Sequence, residues 1–165
     1  MQISNTDARI TIADALFGQE CWYASCGGSA GAAFELALGK KMARKYPIKN
    51  PAHSQEFRNF EGTTSLFVWC TWRLDDSEAP VTSSDDENSS VIAGLNQLVG
   101  HRISNMDIRT KGMDASITFS NGYTLSIFCD HVPGAPSFDG NWEVVTQASI
   151  VAIEVGSHVS IVKRV

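Results

Sequence analysis

Apolar and polar residues alternate with period two along several short stretches of this chain, the signature of strands that bury one face. The alternation is clearest in Met113-Asp-Ala-Ser-Ile-Thr-Phe-Ser, which runs into Asn121-Gly122. An Asn-Gly pair at that place predicts a two-residue hairpin turn, because both residues tolerate positive φ. Leu66 to Trp72 and Thr124 to Cys129 are β-branched and aromatic runs of strand length. Ile150 to Glu154 and His158 to Val162 predict a final strand pair around Gly156-Ser157. A period nearer 3.6 occurs where Val91, Leu95 and Leu98, or alternatively Ile92 and Val99, form an apolar stripe. Ser89-Ser90 can cap that helix and Gly100 can end it. Lys40 to Thr63, with Pro47 and Pro51, predicts a loop with one helical turn.

The pattern repeats. Leu66-Phe-Val-Trp-Cys70 matches Leu125-Ser-Ile-Phe-Cys129 as Leu-x-(Val/Ile)-aromatic-Cys. Upstream, Leu16-Phe-Gly-Gln19 matches Leu98-Val-Gly-His101, and Phe34 to Gly39 aligns with Ile117 to Gly122. From first to last glycine the intervals are 21 and 22 residues. Trp72-Arg-Leu74 and Trp142-Glu-Val144 complete the two series. These ordered matches predict an internal duplication, over about 10–74 and 91–145. Residues 75–90 then form a linker, and 146–165 a C-terminal strand pair. The expected fold is α+β and predominantly antiparallel β. Two duplicated β-meander halves pack into one barrel- or sandwich-like domain spanning 1–165, with one or two short helices. Neither half can bury its apolar face alone, which is why one shared core is expected.

Composition adds class limits. With 165 residues, 43% hydrophobic and 19% charged, the chain fits one globular domain and excludes a disordered or collagen-like chain. No apolar run reaches the ~18 residues of a membrane helix. The N-terminal segment lacks a cationic start and apolar core, so a cytoplasmic location is expected and the four cysteines are read as reduced thiols. The spacing Cys21-x4-Cys26 fits no zinc pattern and the histidines show no ligand spacing, so no metal or other cofactor is expected.

Charge is segregated. Asp75, Asp76, Glu78, Asp85, Asp86 and Glu87 occur with no intervening base, and the rest of the chain carries a net charge of only +1 against −5 for the whole. An acidic solvated linker of this kind can steer a basic partner. Lys40, Lys41, Arg44, Lys45 and Lys49 form a smaller basic cluster beside Tyr46. One aromatic in one basic patch makes a weak nucleic-acid site, and no phosphate-loop pattern surrounds Gly39-Lys40-Lys41.

Two segments imitate catalytic motifs. Gly27-Gly28-Ser29-Ala30-Gly31 matches the nucleophile elbow G-x-S-x-G, with His53, His101, His131 and His158 as bases downstream. A small serine hydrolase using Ser29 is therefore the alternative function. The chain lacks alternating strands and helices, and the repeat makes this segment a hairpin loop, which favours a glycine-rich turn. Cys129-Asp130-His131 would place a thiol and an imidazole on one strand face, but the repeat gives Cys70 the same position without a histidine. Trp22, Trp69, Trp72 and Trp142 are read as core and hairpin packing.

Trp72-Arg73-Leu74, the acidic linker and the block from Leu98-Val99-Gly100 to Ile127-Phe128 resemble a group of small uncharacterised bacterial proteins. Some members of such groups are similar to immunity proteins of polymorphic toxin systems. The resemblance spans roughly residues 60 to 145 and implies a non-catalytic, cytosolic protein-binding role without catalytic residues to transfer. The expected partner is a protein, such as a basic toxin domain, engaged through the six acids of the linker.

Overall fold

The computed structural model describes residues 1–26, 32–134 and 140–165. Helix α1 (Asn5–Leu16) starts at Ser4, whose hydroxyl accepts the Asp7 N–H at 3.1 Å. It buries Ala8, Ile12 and Leu16 at helical spacing. Strands β1 (Cys21–Cys26) and β2 (Phe34–Ala43) follow, then the short helix α2 (Gln55–Asn59), β3 (Phe60–Val68), β4 (Thr71–Asp75) and β5 (Pro80–Ser83). Helix α3 (Asn88–Leu95) leads through a 3-10 turn at 96–98 into β6 (Ile103–Ile108), β7 (Ala115–Phe119) and β8 (Thr124–Phe128). The chain ends with β9 (Trp142–Thr146), β10 (Ser149–Ile153) and β11 (Val159–Lys163).

These strands build two antiparallel sheets, ordered β1-β2-β3-β9-β10-β11 and β5-β4-β8-β7-β6. Neither sheet closes into a barrel, so of the two expected shapes the closed one is corrected. Alternation along each strand sends one set of side chains inward: Phe34, Leu36 and Leu38 from β2, Leu66 and Val68 from β3, Trp72 and Leu74 from β4, Ile117 and Phe119 from β7. All join one apolar cluster with Leu125, Ile127, Trp142 and the buried residues of α1 and α3. Burying about 25 cal/mol of stabilisation per Å² of apolar surface, that cluster is the main force holding the layers together.

Each half follows the same route. A helix leads into a three-strand meander, β1-β2-β3 in the first sheet and β6-β7-β8 in the second, and a fourth strand then crosses to the opposite sheet. The crossing strands β4 and β9 each carry a fully buried tryptophan at their start: Trp72 Nε1 donates to Ala32 O at 2.9 Å and Trp142 Nε1 to Met113 O at 3.1 Å. The helix exits also mirror one another. Gly18 N donates to Ile103 O and Gly100 N to Cys21 O, while Cys21 N donates to His101 O and Ile103 N to Gln19 O.

Several local expectations shift. In strand register Phe34 pairs with Val68 and Ala115 with Ile127, so Phe34 corresponds to Ala115, not to Ile117. The two glycines that suggested the other alignment do different jobs: Gly122 closes a hairpin, whereas Gly39 sits in a register irregularity within β2. The hairpin itself is a three-residue loop, closed by Phe119 N donating to Tyr123 O, with positive φ at Gly122 alone. Helix α3 begins at Glu87 rather than at Ser89-Ser90. Lys40 to Thr63 is largely ordered: β2 runs on to Ala43, and α2 leads straight into β3.

Candidate functional site

The outer face of the first sheet carries the most heavily shielded carboxylates. Glu35 on β2 pairs with Phe67 on β3, and Phe67 pairs with Glu143 on β9, so two acids flank one aromatic ring in a single row across three strands. Odd positions of β2 and β3 point outward because their even neighbours fill the core. The 44–59 connection folds over the end of this row. Arg44 reaches Glu61 at 3.5 Å and donates through Nε to Phe57 O at 2.9 Å, and Ile48 lies alongside. Together they leave a cavity of about 310 Å³ lined by Glu35, Arg44, Glu61, Phe67 and Glu143, with Arg164 from the C-terminal end also on its wall.

Burial pushes the Glu35 carboxyl above the ordinary range; a hydrogen bond from Ser65 and the charge of Arg44 oppose that, and the Glu61 carboxylate adds to it. Burial also raises Glu143, helped by the nearby Glu154 charge. Among the described residues no lysine or arginine forms an ion pair with either acid. The groove thus sets three carboxylates, Glu35, Glu61 and Glu143, against the two guanidiniums of Arg44 and Arg164 over an apolar floor, and the excess acid suits a cation with an apolar stem.

The same connection builds a rim of aromatic and cationic groups beside the groove. Tyr23 and Phe57 stack at 4.2 Å, His53 lies 5.0 Å from the Phe57 ring, and the Arg44 guanidinium sits 4.7 Å above its face. Lys41 pairs with Glu56 and lies 5.1 Å from the Trp22 ring. Lys45 lies 5.4 Å from the Tyr46 ring, so three of the five basic residues are engaged within the chain. Trp22 and Trp69 belong to this outer face, half-buried, and not to the core that holds Trp72 and Trp142.

The six acids of the 75–90 segment lie elsewhere, on the β4–β5 hairpin and the entry to α3. Asp75 pairs with Arg73 at 2.9 Å. Asp76 accepts the N–H groups of Glu78 and Ala79, and these hold its carboxyl below the usual range. Asp86 accepts from the Thr82 hydroxyl and the Ser83 N–H. Glu78, Asp85 and Glu87 are exposed, Glu87 standing at the N-cap position of α3 without a side-chain capping bond. Half of the acidic cluster is thus engaged within the chain, Asp75 in an ion pair and Asp76 and Asp86 in turns, which spacing alone does not separate from a binding face.

Ser29, with the rest of the Gly27 to Gly31 motif, lies outside the described residues. The Cys129 thiol donates to Met113 O at 3.3 Å, and His131 Nδ1 lies 2.6 Å from Gly140 O. Each group of that apparent dyad is given a backbone partner. Among the described residues no set of three or more His, Cys, Asp or Glu could hold a metal ion. No described helix is long and apolar enough to cross a membrane. Comparison with protein-family models, with curated proteins and with solved structures finds no match.

Glu35 and Glu143 escaped sequence reasoning because they stand more than a hundred residues apart. The signal available was a charged residue in an otherwise apolar strand: Glu35 in Phe-Glu-Leu-Ala-Leu and Glu143 in Trp-Glu-Val-Val.

Proposed function

We propose that this chain is a non-catalytic protein-binding domain that takes a basic segment of a partner into the groove over Phe67. The observation that carries the reading is the pair of shielded carboxylates, Glu35 and Glu143, on either side of one aromatic ring, neither of them ion-paired among the described residues although Arg44 and Arg164 share the cavity. A guanidinium between them would restore the solvation that burial removes, while its methylene stem covers the ring. The exposed acids Glu78, Asp85 and Glu87 would raise the encounter rate with a basic partner from a distance. Neutralisation of a basic toxin in the cytoplasm is the role that matches this chemistry and the resemblance to immunity proteins. The two halves are read as copies of one duplicated unit, of which the first acquired the 44–59 connection.

An arginine-rich peptide titrated into the protein, followed by amide NMR shifts, tests the site. Shifts should concentrate on β2, β3 and β9, and Glu35→Gln with Glu143→Gln together should weaken binding by about tenfold or more, since each charge-assisted contact contributes roughly 1.5 kcal/mol. Shifts confined to the β4–β5 hairpin would move the site there. A double variant that binds as well as the wild type would end the groove reading.

A further inference from the structure

We propose that Cys70 and Cys129 are a covalent modification site, a dithiol that closes reversibly to a disulfide at the seam where both halves cross between the sheets. The β4–β8 ladder ends with Thr71 opposite Phe128, and that register carried one step past its end brings Cys70 opposite Cys129. Directly opposed residues of an antiparallel pair have Cα atoms about 4.5–5.5 Å apart, inside the roughly 4.4–6.8 Å range of disulfides. Both cysteines are free thiols, and the Cys129 side chain is near enough to be the main influence that keeps the Cys70 thiol protonated.

Access is uneven in a useful way. Cys129 is half-buried and the more accessible thiol, while Cys70 is buried at the base of a recess of about 230 Å³ lined also by Ala33, Trp69, Ser84 and His131. The other two thiols lack this arrangement. Cys21 is fully buried, with its thiol pushed up to about 12 by burial, and the Cys26 sulfur is directed at Asn88 O, 4.0 Å away.

The oxidant is a low-molecular-weight disulfide, RSSR. The Cys129 thiolate attacks one of its sulfurs, forming a mixed disulfide and expelling RS⁻. Cys70 then loses its proton to solvent and attacks the Cys129 sulfur, expelling the second RS⁻. Two thiols are oxidised and RSSR is reduced to two RSH. The nearby Cys129 side chain and burial both favour the protonated form of Cys70, so ring closure should quicken as pH rises. The product ties the β3–β4 crossover to the β8–β9 crossover.

The test incubates the folded protein with oxidised glutathione near about pH 8, where thiolate forms more readily. Free thiols are then alkylated, and the unreduced digest is mapped by mass spectrometry. The expected result is a cross-link between the Cys70 and Cys129 peptides, with Cys21 and Cys26 alkylated. Cys70→Ala should instead trap Cys129 as a glutathione adduct. The oxidised wild type should melt higher, by on the order of 10 °C for a bridge spanning this much chain. Alkylated Cys70 and Cys129, glutathione on both, or a bridge to Cys21 or Cys26 in protein still folded by circular dichroism would each overturn the assignment.

Discussion

The outer faces of the two sheets differ far more than their inner faces do. Inward, each half presents the same succession of aliphatic residues ending in a buried tryptophan that caps a backbone carbonyl. Outward, the row Glu35, Phe67, Glu143 of the first sheet corresponds in the second to Ser116, Ser126 and Arg73, which pair in the same order across β7, β8 and β4. The meander turn differs as well: residues 120–123 suffice between β7 and β8, whereas 44–59 intervene between β2 and β3. Folding demands an apolar interior from both halves. It does not demand shielded carboxylates or a sixteen-residue cover from one of them. What the first half has beyond the second is therefore where binding chemistry is best sought.

The shared part of the comparison can be broken most sharply at the tryptophans. Trp72→Ala and Trp142→Ala should each cost about 3–5 kcal/mol, because both indoles are fully buried and each leaves a cavity and takes an N–H donor from a backbone carbonyl. Denaturant unfolding of the two variants measures this. A loss at one site several kcal/mol below the other would mean that the halves do not bear the core equally.

Glycines sharpen the comparison at a smaller scale. Gly18 and Gly100 both have positive φ, and an added Cβ would meet open space at either, so alanine should cost about 1 kcal/mol at each. Gly39 has positive φ too, but a Cβ there would strike the side chains of Thr63 and Gln19. Gly39→Ala should cost about 2 kcal/mol or more, and thermal melts should rank it clearly below the other two. Equal costs at all three would show that the irregularity in β2 relaxes as freely as a helix exit.

Much of the interior was legible because burial imposes a period on the sequence. The alternating runs from Met113 and from Thr124 contain the strands Ala115–Phe119 and Thr124–Phe128, with Met113 left in the preceding turn, and the final strand pair also forms. Helix α1 was harder to read: Ala8, Ile12 and Leu16 point inward, but exposed Ile10 blurs the stripe. The groove was not legible for a different reason. Its acids come from β2 and β9, joined only through the pairing of β3 with both, and no local pattern encodes that neighbour relation. The prolines at 47 and 51 suggested a loop across Lys40 to Thr63, yet β2 continues past Gly39 because Lys41 to Ala43 find partners in Gly62 to Phe60.

The smallest expected effect distinguishes the outer faces by their pH response. Glu35 has its carboxyl raised by burial, so the folded state holds a proton more readily than the unfolded chain does. Between the unfolded and folded titration points the native form binds more protons, and stability falls as pH rises through that window. Above it the shielded charge persists as a constant cost; below the unfolded value, near about 4.3, that cost is absent. Glu35→Gln removes the titration, so the variant should gain stability over the wild type at neutral pH and lose that gain on acidification. Glu143→Gln should behave likewise through its own burial. Ser116→Ala at the corresponding place in the second sheet carries no ionisable group, and its difference from wild type should stay flat with pH. Parallel urea titrations across the acid range read all three. A pH-independent difference for both glutamines would mean that solvent reaches the carboxylates freely, and the recess would then offer a basic segment no more than an ordinary exposed charge.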